Sequence, residues 1–184
     1  MNFSNIYQSV DAASKGGPLW LSQLRNQGMK RFEELGLPER RWEHWKYTNV
    51  STLAKLDFAW PRPIVGLTYL FAEHEIRPWT SQNHPRLVFL NGHFCQSLSQ
   101  LDDLPQGVIV SPLSTLLSQS DSRVEKIRER LGEGNFVVDN HFMALNQAFF
   151  FEATVVWIPS SLLVDKPIDI LHISKGEKLC SQAK

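Results

Sequence analysis

His93 and Cys95, two positions apart, are the pair in this chain best suited to share a soft metal ion, and His74, Glu75 and His84 form a second group of possible ligands. A protein zinc site needs about three or four donors, usually delivered as closely spaced Cys or His pairs. Neither group has that spacing. A return strand after a turn accounts for His93-Phe94-Cys95 without metal chemistry. The other cysteine, Cys180, is far away in sequence, and two such cysteines suit a reducing cytoplasm better than a disulfide framework. The chain has no Gly-x-x-x-x-Gly-Lys phosphate loop, no Gly-x-Gly-x-x-Gly, no Gly-x-Ser-x-Gly elbow, no Cys-x-x-Cys and no His-Glu-x-x-His. An enzyme in this chain would have to use scattered groups. The residues alone stop at a soluble α+β domain read as an interaction module, with no catalytic, cofactor-binding or metal-ligating residue assigned, and the chain is expected not to be an enzyme.

Pro38 to Thr48 (Pro-Glu-Arg-Arg-Trp-Glu-His-Trp-Lys-Tyr-Thr) is the densest run of aromatic and charged side chains. Trp and Tyr faces beside Arg and Lys attract bases and anions. The same composition builds a packed turn, with rings tucked inward and the long cationic stems lying over them. Lys plus Arg and Asp plus Glu both number 19, so the net charge is zero. Nucleic-acid binding usually rides on a basic excess. The packed turn is favoured, and no nucleic acid is expected as a partner.

Hydrophobic content of 42% and charge of 21% over 184 residues describe a folded chain with a real core. No apolar run approaches the ~20 residues of a membrane span, and Met1 to Gly17 lacks the pattern of a signal peptide. A cytoplasmic protein with no membrane partner is expected.

Met1 to Gly17 reads as polar. A helix is predicted from Pro18, with Leu21, Leu24, Gly28, Phe32 and Leu35 as its stripe and Gly36 and Pro38 ending it. Residues 51–84 are hard to read, broken by Pro61, Pro63 and Pro78, with Gly66 to Ala72 as a short strand or turn. Leu87 to Leu90 is a strand, Asn91-Gly92 its turn, and Val108 to Val110 another strand. Ser111 to Gly132 is helical, with Ser122 and Glu125 as a capping box and Val124, Ile127 and Leu131 as one face. Arg123, Glu125, Lys126, Arg128, Glu129 and Arg130 mix signs on the wet face. His141 to Phe150 is a helix capped by Asp139, whose Ala144 and Ala148 let it lie close to a neighbour. Thr154 to Ile158 and Ile168 to Ser174 are β-branched, strand-like runs. On periodicity alone they are either a closing hairpin or the start of something larger.

Gly36-Leu37-Pro38-x-Arg40-Arg41 followed by Trp45-Lys46-Tyr47-Thr48 resembles the SufB/SufD family of iron–sulfur cluster assembly proteins. So do Pro85 to Phe94, Leu104-Pro105-x-Gly107-Val108, Ala144-Leu145-Asn146-x-Ala148-Phe149, Ile158-Pro159 and Lys166-Pro167-Ile168. The pieces run in family order over most of residues 18–174. The Trp-Lys-Tyr-Thr piece points to the SufD branch.

The resemblance implies an α+β chain in which a helical N-terminal region (1–84) and a small α/β segment (85–135) lead into the first strands of a right-handed parallel β-helix (136–174), with a polar tail (175–184). It implies a scaffold subunit of a SufBCD complex, partnered by a SufB-like subunit and a SufC-like ATPase. That complex builds an iron–sulfur cluster and is associated with reduced flavin. Residues the family places late in the β-helix have no counterpart among residues 1–184, so none is carried over. The chain reads as truncated, frameshifted or split. The two closing strands are then expected to align as a parallel rung or to lack partners, rather than to form a tight hairpin, and the region after Ala153 to be poorly ordered or self-associating.

Overall fold

The computed structural model of the protein describes residues 3–13, 17–60, 73–81, 83–133 and 140–175. It is an α+β structure whose chain divides into two compact units. One draws on residues up to Trp60 and on Ser122–Phe151; the other on Pro61–Asp121 and on Glu152–Glu177.

The first unit is helical. Helix α1, Phe3–Ala13, lies in a stretch that reads as polar in sequence. That expectation is corrected here. Phe3, Ile6, Tyr7 and Val10 recur at i, i+3, i+4 and i+7 and are all buried. Ser4, Asn5, Gln8, Ser9 and Asp11 stand among them and dilute the average, which hides the stripe. Helix α2, Leu19–Leu35, follows Pro18 as expected and buries Leu21, Arg25, Gly28, Met29 and Phe32. At its end Gly36 takes φ 67 and donates its N–H to the Phe32 carbonyl, a backbone shape open to glycine.

Helix α6, His141–Ala148, packs on α2. Its cap is Asn140, whose Oδ1 accepts from the Phe142 and Met143 N–H groups. The expected cap, Asp139, lies outside the described residues. Small residues set the helix–helix distance, as anticipated: a Cβ on Gly28 would stand 2.5 Å from the Ala148 nitrogen. The shared core joins Phe3, Ile6, Tyr7 and Val10 to Met29, Phe32, Ala144, Leu145, Ala148 and Phe149. Phe3 meets Phe32 edge-on and Tyr7 meets Phe149 edge-on, at 5.6 and 6.1 Å between ring centroids. Helix α5, Arg123–Glu133, keeps Val124, Ile127 and Leu131 half-buried on one face, with an Arg128–Glu125 ion pair on its wet side.

The second unit is built on strands. After the short helix α3, Glu73–Ile76, strand β1, Arg86–Leu90, is buried along its whole length. Asn91 and Gly92, at φ 49 and φ 84, turn it into β2, His93–Phe94, the hairpin that an Asn-Gly pair prefers. Strand β3, Ile109–Pro112, runs into helix α4, Leu113–Ser118. The predicted Gly66 to Ala72 element lies outside the described residues.

Strands β4, Thr154–Trp157, and β5, Asp169–Ile173, are the two closing runs. They do not pair with each other. β4 lies antiparallel to β3, and β5 lies parallel to β1, giving sheets ordered β3-β4 and β2-β1-β5. The exclusion of a tight hairpin holds, the alternative of unpartnered strands is corrected, and of the two only β5 is aligned in parallel, with β1. Among the described residues no stacked coils of a parallel β-helix are present. Leu87 and Phe89 face a cluster with Val108 and Val110, while Val88 and Leu90 face Ile76, Cys95 and Leu98.

Candidate functional site

Cys95 is buried among Ile76, Val88, Leu90 and Leu98, and its sulfur lies 3.5 Å from the Ser97 hydroxyl. It is a core residue beside the hairpin. His93 pairs with Leu90 in β2 and is half-buried. Glu75 is exposed, the side chain of His74 lies outside the described residues, and so does Cys180. Among the described residues no three His, Cys, Asp or Glu side chains converge.

His84 does find a partner, one that sequence reading missed. Its Nδ1 is 3.4 Å from Asp169 Oδ1, and the other oxygen, Oδ2, accepts the Ser81 N–H at 3.0 Å. The Asp169 N–H in turn donates to the Pro85 carbonyl. This is a clasp at the start of β5. It joins residues 85 positions apart, and no local signal connects them.

The Pro38–Thr48 segment is a turn packed on α6. Trp42 stacks on His141 at 4.6 Å and Trp45 meets Phe142 at 5.5 Å. Both indoles are half-buried. Tyr47 behaves differently: it is 89% exposed, with the Lys46 ammonium 5.5 Å from its ring centroid. Beside the segment lies a cleft of about 380 Å³ lined by Leu37, Pro38, Glu39, Arg40, Asn49, Ser51 and Ala54. Glu39 is neutralised by Arg41, which reaches it through Nε at 2.8 Å. The lining holds no aromatic side chain.

Inside the first unit, Arg25 is buried, 3.7 Å from Asp11 and 4.8 Å from the Phe151 ring centroid, with Ser22 as a further hydrogen-bond partner. Burial depresses its pKa and Asp11 acts in the opposite direction. Tyr7 donates to Asn26 Oδ1 at 2.7 Å, and its pKa is raised first by burial and then by Asp11. These groups tie α1 to α2.

The second unit presents its own surface at β5. That strand is an edge: β1 covers one side, and no described strand covers the other. Yet its apolar residues point to both faces. Leu171 and Ile173 join the Val88–Leu90 cluster, Ile168 joins the Leu87–Phe89 cluster, and Ile170 is 44% exposed. His172 stacks on Phe89 at 4.8 Å, and partial burial lowers its pKa. A strand apolar on both faces has the composition of a sheet interior. Leu163, at 81%, and Trp79, at 75%, are further exposed large hydrophobics of this unit.

Comparison with known proteins agrees with this picture. The family model described as the SufBD protein N-terminal region matches residues 2–170. A curated protein of Synechocystis sp., described as an iron–sulfur cluster assembly SufBD family protein, is 32% identical over 140 residues. The match takes in 76% of this chain and 29% of that protein's length. No described helix is long and apolar enough to cross a membrane. The chain belongs to the SufB/SufD family of iron–sulfur cluster assembly proteins and carries its N-terminal region.

Proposed function

We propose that this chain is the N-terminal part of a SufD-like scaffold subunit, acting without catalytic groups of its own in a cytoplasmic SufBCD complex that builds iron–sulfur clusters. The observation that carries the reading is the family match across residues 2–170. The Trp45-Lys46-Tyr47-Thr48 run supports the SufD branch, and the parallel β1–β5 pairing supports continuation into a parallel β-helix. A further strand laid on β5 would cover Ile170 and satisfy the free edge. Cluster iron and sulfur are cargo of the complex, and flavin is assigned to the assembly rather than to these residues.

Co-expression with a SufB-like subunit and a SufC-like ATPase tests the proposal. Because the family's ATPase-binding region lies C-terminal, residues 1–184 alone are expected to leave SufC in the unbound fraction. Stable capture of SufC by this chain would sink that expectation, and failure of a longer chain carrying it to join SufB would sink the scaffold assignment. A second reading, a self-contained interaction module, is favoured by one observation: β4 and β5 both find partners within the chain. A monomer with cooperative melting and protected β5 amides would support that reading.

A further inference from the structure

Asn91-Gly92 is the only Asn-Gly dipeptide in the chain. Its chemistry is intrinsic. The Gly92 backbone nitrogen can attack Asn91 Cγ, forming the ring C–N bond. The Gly92 nitrogen gives up its proton, the Cγ–Nδ2 bond breaks, and the departing nitrogen takes up a proton and leaves as ammonia. Solvent water then opens the succinimide to aspartate or to isoaspartate, the latter with the backbone rerouted through Cβ. A following glycine presents no Cβ to hinder the attack.

The folded chain holds this reaction back at a definite place. Asn91 is 6% exposed. Its Nδ2 donates to the Lys175 carbonyl at 3.0 Å, and its Oδ1 accepts the Lys175 N–H at 2.8 Å. Both ends of the carboxamide are therefore tied to one backbone residue just beyond β5. The Asn91 N–H also donates to the Ile173 carbonyl at 2.7 Å. Succinimide closure needs the carboxamide to swing toward Gly92 and its nitrogen to depart. Neither is possible while the Lys175 pairing stands.

We propose that Asn91 is a deamidation site gated by β5, so that its modification is an irreversible record of β5 leaving β1. The product cannot restore the clasp. An aspartate at position 91 has no donor for the Lys175 carbonyl and sets a carboxylate against it. An isoaspartate adds a backbone atom to a turn whose residues sit at φ 49 and φ 84. Buried polar groups that lose one partner are expensive to leave unmatched.

The test is incubation of the chain in neutral buffer, with peptide mass spectrometry following deamidation at Asn91. Three samples are compared: native protein, the same protein in denaturing urea, and the variant Lys175→Pro, which removes the N–H donor. The native rate is expected to be roughly tenfold or more below the denatured rate, and Lys175→Pro to recover much of that difference. Equal native and denatured rates would overturn the proposal, as would a folded Lys175→Pro chain that deamidates no faster than the wild type. If Lys175→Pro fails to fold by circular dichroism, the wild type is studied in urea below its unfolding transition. There the deamidation rate should rise in step with hydrogen exchange of the Asn91 and Asp169 amides, and a rate indifferent to that exchange refutes the gate.

Discussion

His141 lies against Trp42 with ring centroids 4.6 Å apart and planes inclined by 29°, while its Nδ1 sits 2.8 Å from the Gly36 carbonyl oxygen. A carbonyl only accepts, so Nδ1 carries the proton. One imidazole thus joins the end of α2, the Trp-rich turn and the start of α6. Trp42→Ala is expected to lower stability by about 2 kcal/mol through lost ring contact. His141→Ala should cost about 1–3 kcal/mol, because the buried imidazole is lost and the half-buried Gly36 carbonyl loses its donor. Urea midpoints of the two single variants and the double variant check this, and the double should lose less than the sum because the two side chains share one contact.

At Gly28, α2 and α6 approach closely. Gly28→Ala places a Cβ 2.5 Å from the Ala148 nitrogen and 2.8 Å from Gln147 Cβ. Alanine favours helices over glycine by about 1 kcal/mol, so propensity alone forecasts a gain. Contact with backbone cannot be relieved by a rotamer, and overpacking of about 1–3 kcal/mol or more should win. Thermal melting of Gly28→Ala should show a lower midpoint; a higher one would mean that α6 shifts away freely.

Asn91 combines a left-handed backbone with a carboxamide bonded at both ends, and Asn91→Gly separates the two. Glycine keeps the φ of 49 but removes the Lys175 partner. A loss of about 1–3 kcal/mol is expected in equilibrium unfolding, with faster exchange of the β5 amides. Asn91→Ala should lose more, since alanine also resists the positive φ.

His172 contributes to the acid response. Partial burial against Phe89 lowers its pKa from the ordinary 6.5, so the folded state binds fewer protons than the unfolded chain just below that pH. Its contribution is present above about pH 6.5 and fades as pH falls toward the depressed folded value. The side chain stays partly exposed, which keeps the effect small. Comparing unfolding midpoints at about pH 7.5 and 5.5, His172→Gln should flatten the acid-side decline. Tyr7 works in the opposite sense: burial raises its pKa above the ordinary 10.0, so its contribution holds below that pH and is lost as pH rises through the folded value. Tyr7→Phe should move the onset of alkaline unfolding upward.

Helix α2 was legible because its stripe, Pro18 and Gly36 are all local signals. The β1–β2 hairpin was legible because Asn-Gly names its own turn. Helix α6 was legible too, with its cap one residue later, at Asn140. Helix α1 was not, since Phe3, Ile6, Tyr7 and Val10 are spaced through polar neighbours and only the period reveals them. The partners of β4 and β5 were hidden for another reason: apolar runs declare that they are strands but not which distant strand they complete. The same limit concealed the His84–Asp169 clasp, whereas the packed Trp turn could be read from composition and net charge.

The parallel pairing of β5 with β1 also fixes an order of events at the ribosome. Asn91 and Lys175, which bond to each other, lie 84 positions apart. β1 is thus synthesised, and waits with one edge open, until nearly all of this sequence has emerged. The helical unit waits as well, since α1 and α2 bury their stripes against α6, which arrives after β1 to β3 have been made. Local helices can form at once, but both cores close late and over long loops. The nascent chain therefore carries exposed Leu, Val and Phe side chains until α6 and β5 have emerged, an interval in which such surfaces are prone to aggregate.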